Sequence, residues 1–318
     1  GVIEILVGLV FGFSIGYSRI LFIEMALIQQ FVGGFFCLWY LVPWAFGFHQ
    51  EVKLGWPRFD LAYKIKVGIL FMAMEVVGTY HQIVVLFYHL LYGTHEGRMF
   101  CHRRMESFYS WFIPILFGPI LSVEGLEHIP KGEACIFVAN HQCTADFAMF
   151  FAMPPGTVPG LCPVAKTSIL AMPGFGLCAL LGGGVMIERG KKGTLEQMVE
   201  QGTERLQSGL SIVLFPQGTR RVPTPTVPPL DFKRGFAILA AKTKARVVPV
   251  TFNYPLDYMS SSRDTSKSGV RVQFHSPVTI EDNDVAIKEA MLAIQKTVTD
   301  PILESFKRET QSESKKSK

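Results

Sequence analysis

The sequence has no C-x-x-C pair, and its six cysteines are scattered at positions 37, 101, 135, 143, 162 and 178. This spacing indicates neither a disulfide framework nor a thiolate metal site, so we expect reduced thiols, as on the cytosolic side of a membrane. A clustered basic helix and zinc-finger spacing are also lacking, so nucleic acid is not an expected partner. The net charge of +5 is modest and suits an anionic lipid surface or a phosphorylated substrate.

Charged residues are scarce at the start of the chain, where the first 48 positions hold only Glu4, Arg19 and Glu24. Hydrophobic residues make up 49% of the sequence and the mean hydropathy is +0.28, both high for a wholly soluble protein of 318 residues. The uncharged stretch 31–48 is typical of a transmembrane helix. Residues 8–16 contain glycines spaced four apart, which favour close helix packing in lipid over a G-x-S-x-G nucleophile elbow, because no strand precedes them.

Residues 67–91 are apolar again but carry a polar residue at every seventh position. These polar residues are Glu75, Gln82 and His89. The stripe indicates a helix that faces other helices or lies in the membrane interface, and basic residues on both flanks leave its orientation open. We therefore predict a membrane-embedded helical anchor over residues 1–92, with an open number of spans, and an interfacial helical connector over 93–122.

From Val123 onward, short apolar runs alternate with segments of helical periodicity. This alternation predicts an α/β domain over residues 123–282, with a mostly parallel sheet flanked by helices. Residues 253–269 are polar and predict a surface loop, and a C-terminal helix with a basic tail follows over 283–318. The predicted strands are 134–139, 161–165, 185–187, 211–215, 247–252 and 270–274, and the predicted helices are 195–206, 236–245 and 285–306.

The stretch ACIFVANHQCTAD at positions 134–146 contains the clearest candidate for a reactive site. Its apolar first half predicts a strand buried on both faces, and Thr144 is a suitable N-cap for a following helix. His141 and Asp146 then lie on either side of one strand-to-helix turn, where α/β folds bind ligands. A histidine there can take a proton from a hydroxyl, and a carboxylate can fix its tautomer. Taken alone, so short a pattern favours a simpler interpretation, a strand cap beside a solvated helix start.

Basic residues end several of the later predicted strands. Lys166 follows one strand, Arg189 ends the run GVMIER, and the block FPQGTR at 215–220 follows another strand. Each feature alone fits a solvated strand end or a tight turn. Beside the His/Asp turn they indicate a site for an anionic substrate, because guanidinium groups bind phosphate bidentately and glycine amides add donors.

The H-x4-D pair, the strand ending in Ile187-Glu188-Arg189 and the F-P-x-G-T-R block, in this order, resemble the glycerolipid acyltransferase family, and most closely its 1-acyl-sn-glycerol-3-phosphate acyltransferases. The resemblance implies transfer of a fatty acyl group from acyl-CoA or acyl carrier protein to the sn-2 hydroxyl of lysophosphatidic acid, giving phosphatidic acid without a metal or other cofactor. It implies His141 as catalytic base and Asp146 as its partner. The implied substrate-binding residues are Lys166, Arg189, Gln217, Gly218, Thr219 and Arg220.

The block departs from the family at Gln217, where a glutamate is usual. This leaves a non-catalytic lipid-binding relative as one alternative. Glycerol-3-phosphate or another lysophospholipid as acceptor is a second, although Arg220 favours a terminal phosphate over choline or ethanolamine.

The C-terminal lysines Lys315 and Lys316 stand fourth and third from the end of the sequence. This resembles the dilysine retrieval signal of endoplasmic reticulum proteins, and a plain solvated tail is the alternative. With the substrate class implied above, it predicts an integral membrane protein of the endoplasmic reticulum, in contact with membrane lipids and with its catalytic domain facing the cytosol.

Overall fold

The structure is a computed structural model. It describes residues 80, 82–117, 120–143, 146–154, 156–158, 160–171, 176–222, 227, 229–255 and 269–316. The anchor predicted for 1–92 therefore lies mostly outside the described residues, as does the centre of the loop predicted for 253–269. Among the helices that are described, none combines the length and the apolar character that crossing a bilayer requires.

Strands and helices mostly alternate among the described elements once the first long helix has ended. Residues 82–92 are helical, and two short 3-10 helices occur at Leu126–His128 and Thr167–Ala171. The remaining elements, in chain order, are α1 (Thr94–Phe117), β1 (Ile120–Glu124), β2 (Ile136–Ala139), α2 (Asp146–Phe151), β3 (Leu161–Lys166), α3 (Gly176–Leu181), β4 (Val185–Ile187), α4 (Thr194–Gln207), β5 (Ser211–Leu214), α5 (Gly235–Thr243), β6 (Val247–Asn253), β7 (Val270–Phe274) and α6 (Asp284–Lys316).

The strands form one seven-stranded sheet in the order β1-β7-β6-β2-β5-β3-β4. Every neighbouring pair is parallel except β6 and β7, which confirms the predicted mostly parallel α/β sheet. Strand β2 lies at the centre, with Ile136 paired to Ile212 of β5 on one side and to Val247 of β6 on the other. All four of its residues are buried, as expected for a strand covered by helices on both faces.

Alternate residues of β2 contribute to different hydrophobic layers. Ile136 and Val138 pack into a cluster with side chains of α4, α5 and α6. Phe137 instead contacts Phe150 of α2, with ring centroids 6.1 Å apart. Helix α4 approaches α5 closely because Gly202 has no side chain, and a Cβ there would lie 2.8 Å from a methyl carbon of Leu239.

The topology brings the carboxyl ends of β2, β5, β3 and β4 to one edge of the sheet, because these four neighbours are parallel. Adjacent strands lie about 4.8 Å apart, so residues that follow these four strands are within reach of one substrate. The predicted site residues all lie at the ends of these strands or follow them.

Candidate active site

His141 and Asp146 form a hydrogen-bonded pair across the turn between β2 and α2. The His141 Nδ1 atom lies 2.7 Å from Asp146 Oδ2. Asp146 is fully buried, while the His141 side chain is 23% exposed. With Nδ1 bonded to a carboxylate, Nε2 is the ring nitrogen left to accept a proton from outside the turn.

The carboxylate of Asp146 accepts hydrogen bonds on both oxygens. Oδ2 also accepts from the backbone N–H groups of Gln142, at 2.5 Å, and of Cys143, at 3.0 Å. Oδ1 accepts from the Cys143 thiol, at 3.2 Å, and from the Tyr254 hydroxyl, at 2.6 Å. These donors offset the cost of burying a carboxylate, and they fix its direction toward His141.

Two further contacts fix His141 to the block that follows β5. Its backbone N–H donates to Gln217 Oε1 at 2.5 Å, and its carbonyl accepts from the backbone N–H of Arg221 at 2.9 Å. The imidazole stacks on the Phe215 ring, with centroids 4.4 Å apart and planes 19° from parallel. The H-x4-D turn and the F-P-x-G-T-R block, distant in sequence, are therefore one structural unit.

Asn140 holds the end of β2 against β6. Its Nδ2 donates to the Phe252 carbonyl at 3.0 Å, and its Oδ1 accepts from the Phe252 N–H at 2.8 Å. The side-chain amide thus continues the strand pairing after the backbone of β2 has turned away. As a result, the chain that follows Phe252 stays close to the turn, and Tyr254 reaches Asp146.

The cationic part of the site is centred on Gly218, a glycine with φ of 70° in the turn after β5. An Arg189 guanidinium N–H donates to its carbonyl, which connects the end of β4 to this turn. The ammonium of Lys233 lies close on the other side, 2.8 Å from the position that a Cβ of residue 218 would take. Any larger residue at 218 would therefore have to displace the end of Lys233.

Desolvation lowers the pKa of the guanidinium groups of both Arg189 and Arg220 from its ordinary value. Arg189 is nevertheless exposed as a residue, and Arg220 is half-buried. Both groups stay charged at neutral pH, because arginine starts from so high a pKa. A partly desolvated cation that solvent can reach is suited to an anionic ligand.

The structure brings most of the predicted site residues together, to different degrees. His141, Asp146 and Gln217 are joined directly, and Arg189 is joined to Gly218. Thr219 is exposed in the same turn. Lys166 ends β3 in register with Ile187 and is exposed; among the described residues its side chain makes no hydrogen bond or ion pair. Its predicted role therefore rests on its place at the sheet edge.

Sequence reasoning missed Tyr254, Asn140 and Lys233. Tyr254 is the second residue of the segment 253–269, which was predicted to be a polar surface loop, yet it is only 1% exposed. Asn140 was interpreted only as the residue that ends β2. Lys233 lies in the stretch FKRGF, downstream of the F-P-x-G-T-R block, and was not selected as a site residue. No local pattern marks these residues, because their contacts come from distant parts of the chain.

Comparisons with known proteins find relatives of one kind. Residues 120–253 match the family model described as Acyltransferase. The chain is 29% identical over 172 residues to the human 1-acyl-sn-glycerol-3-phosphate acyltransferase alpha, covering 53% of this chain and 58% of that protein. It is 33% identical over 147 residues to the 1-acyl-sn-glycerol-3-phosphate acyltransferase of Pseudomonas aeruginosa, covering 46% of this chain and 54% of that protein. The chain thus spans little more than half of these relatives.

Among solved structures, the crystal structure of the 1-acyl-sn-glycerophosphate (LPA) acyltransferase PlsC from Thermotoga maritima is similar in fold. The match has a TM-score of 0.57 and 24% identity, and it covers 76% of this chain and 93% of that one. The resemblance to the glycerolipid acyltransferases, and within them to the 1-acyl-sn-glycerol-3-phosphate acyltransferases, is confirmed.

Proposed function

We propose that this protein is a 1-acylglycerol-3-phosphate O-acyltransferase. It transfers a fatty acyl group from acyl-CoA or acyl carrier protein to the sn-2 hydroxyl of lysophosphatidic acid and so forms phosphatidic acid. The observation that carries the proposal is the 2.7 Å bond between His141 Nδ1 and the fully buried carboxylate of Asp146. This pair lies beside the cations around Gly218, and the chain is similar to proteins named for this activity.

In the proposed reaction, His141 acts as the general base. A glycerol hydroxyl is a weak nucleophile at neutral pH, so Nε2 takes its proton while the oxygen attacks the thioester carbonyl carbon. The buried charge of Asp146 stabilises the imidazolium that forms. When the carbon–sulfur bond breaks, His141 returns the proton to the departing thiolate. The thioester itself supplies an activated acyl group, so we propose that no cofactor takes part.

In the same proposal, the cations around Gly218 bind the acceptor phosphate. Arg189 and Arg220 are partly desolvated and remain charged, which favours charge-assisted bonds to phosphate oxygens. The Thr219 hydroxyl and the Lys166 ammonium supply further donors at the same edge of the sheet, and Gly218 forms the turn that brings Arg189 to them. A choline or ethanolamine headgroup would not need this cluster, so it supports lysophosphatidic acid over other lysophospholipids.

The glutamine at position 217 is compatible with activity. Its Oε1 accepts the backbone N–H of His141, a bond that needs an oxygen but no charge. The substitution of glutamate by Gln217 therefore leaves the link between the two motifs in place, which favours an enzyme over a non-catalytic lipid-binding protein. Whether Gln217 also contacts substrate stays a prediction.

We further propose that the protein acts at a membrane, since acceptor and product both carry acyl chains. The predicted anchor over 1–92 is the basis for proposing an integral membrane protein, and we propose the endoplasmic reticulum as its location, with the catalytic domain toward the cytosol.

The proposed function is tested by measuring release of coenzyme A by the purified full-length protein in lipid vesicles with three acceptors. Lysophosphatidic acid is expected to support turnover about tenfold or more above glycerol-3-phosphate and lysophosphatidylcholine, because the cation cluster and the acyl chain are both used. A preference for glycerol-3-phosphate would show that glycerol-3-phosphate, and not lysophosphatidic acid, is the acceptor. Release with none of the three, although the protein binds lysophosphatidic acid, would instead favour the non-catalytic relative.

A further inference from the structure

Tyr254 contacts the site but belongs to neither the H-x4-D turn nor the F-P-x-G-T-R block. It directly follows β6, is 1% exposed and donates its hydroxyl to Asp146 Oδ1 at 2.6 Å. Asp146 is 108 positions away in the sequence. Such a bond between two buried groups persists only if the surrounding fold holds both of them in place.

Two features of the packing hold Tyr254 in position. The side-chain amide of Asn140 binds both the carbonyl and the backbone N–H of Phe252, which extends the β2–β6 pairing to the turn. Phe252 and Tyr254 then contact α2 one helical turn apart: the Phe252 ring meets Phe150 at 4.9 Å, and the Tyr254 hydroxyl meets Asp146. The two-residue repeat of a strand, about 6.6 Å, is close to the rise of one helical turn, about 5.4 Å, so both contacts form together.

The donors on the carboxylate are divided between its two oxygens. Oδ2 faces His141 and two backbone N–H groups, whereas Oδ1 faces Tyr254 and the thiol of Cys143. A thiol is a weak donor, so the phenol is the strong partner of Oδ1. Among the described residues, the titratable groups that contact Asp146 are His141, Cys143 and Tyr254.

We infer that Tyr254 is a positioning residue, which acts on the proton-accepting His141 through the carboxylate of Asp146. The hydroxyl holds Oδ1, so that Oδ2 stays directed at Nδ1, and it withdraws part of the negative charge that His141 would otherwise experience. This inference rests on the proposed role of His141 as base, but the arrangement of the three side chains does not depend on which acceptor is used.

Removing the hydroxyl changes the charge that His141 experiences in a defined direction. In Tyr254→Phe the carboxylate keeps its full charge toward the imidazole, so the protonated ring becomes more stable and loses its proton at higher pH. Turnover should fall about fivefold to twentyfold, with the apparent affinity for each substrate changed less than about twofold.

The test is a titration of the His141 ring by NMR, in protein labelled at its 8 histidines, with the His141 signal assigned from a His141→Gln variant. Tyr254→Phe is compared with wild type and with Tyr109→Phe, which removes the hydroxyl of another tyrosine that is 1% exposed. An upward shift in Tyr254→Phe alone supports the inference. Equal titrations in all three proteins, or a shift of the same size in Tyr109→Phe, would overturn it.

A second variant covers the case in which Tyr254→Phe does not fold. Incorporating 3-fluorotyrosine at position 254 keeps the shape and the hydroxyl but makes it a stronger donor, so the ring should lose its proton at lower pH than in wild type. An unchanged or higher value would contradict the inference. Because neither titration requires turnover, a wild-type protein without acyltransferase activity would count against the proposed function and leave this test intact.

Discussion

The two halves of the candidate site differ in how firmly they are held. Asp146 is fully buried and accepts hydrogen bonds on both carboxylate oxygens, and its Oδ2 is bonded to His141 Nδ1. Arg189, in contrast, is exposed, and its guanidinium is held by the carbonyl of Gly218. In the proposed function, the proton-accepting pair is therefore set before a substrate arrives, while the exposed cation adjusts to the phosphate. Proton transfer requires precise geometry, whereas attraction between a cation and a phosphate tolerates small displacements.

The largest effect is expected from breaking the rigid half at Asp146. Asp146→Asn should lower turnover about a hundredfold to ten-thousandfold, because an amide cannot balance the imidazolium and favours the wrong tautomer. The measurement is release of coenzyme A with saturating lysophosphatidic acid. Thermal unfolding of the same samples checks the fold, since the donors around residue 146 lose their charged acceptor.

A fold that is retained with turnover within about threefold of wild type would remove Asp146 from the mechanism. Loss of both folding and turnover would assign it a structural role in the turn.

A smaller and more selective effect is expected from the adjustable half. Arg189→Ala and Arg220→Ala should each lower kcat/KM for lysophosphatidic acid about tenfold to a hundredfold, as for loss of a charge-assisted bond of about 1.5–3 kcal/mol. The apparent affinity for acyl-CoA should change far less. Arg246→Ala is the matched control, because this arginine directly precedes β6, at the opposite edge of the sheet, where it is ion-paired with Glu133.

Equal loss for both substrates would show that the arginines shape the turn at Gly218 and do not recognise the acceptor. The same loss in Arg246→Ala would indicate a general effect of surface charge at the membrane.

The smallest effect is expected at the junction of the two halves, where Gln217 binds the backbone of His141. Gln217→Glu keeps the oxygen and makes the bond charge-assisted, so kcat/KM for lysophosphatidic acid should rise by up to about tenfold. Gln217→Met, of similar length, is the control that removes the acceptor oxygen and should lower activity. An unchanged or reduced value in Gln217→Glu would mean that the site is adapted to a neutral side chain.

The fold was predictable wherever apolar residues run continuously or alternate regularly with polar ones. Strands 185–187 and 270–274 were predicted with their observed bounds, and the helix predicted to start at residue 285 starts at Asp284. Strand β1 was missed: it mixes apolar and polar residues and forms by pairing with β7, about 150 positions later. The predicted connector over 93–122 accordingly divides into α1 and β1. The predicted division of the whole chain into four segments stays a prediction.

The site was predictable to the extent that its residues are close in sequence. His141 and Asp146 belong to one turn, and the basic strand ends follow apolar runs, so the parallel sheet alone implied that they lie along one edge. The bond from His141 to Gln217 and the bond from Tyr254 to Asp146 were not predicted, because each depends on which strands are neighbours of β2. Interactions set by strand order leave no periodic signal.

The central claim, that His141 accepts the proton of the acceptor hydroxyl, is tested most directly by His141→Ala. The measurement is the rate of coenzyme A release with lysophosphatidic acid, per mole of protein with the wild-type unfolding temperature. We predict a loss of about a hundredfold to ten-thousandfold, equivalent to about 3–5 kcal/mol of activation free energy. Turnover close to that of wild type in a folded His141→Ala protein would contradict the mechanism.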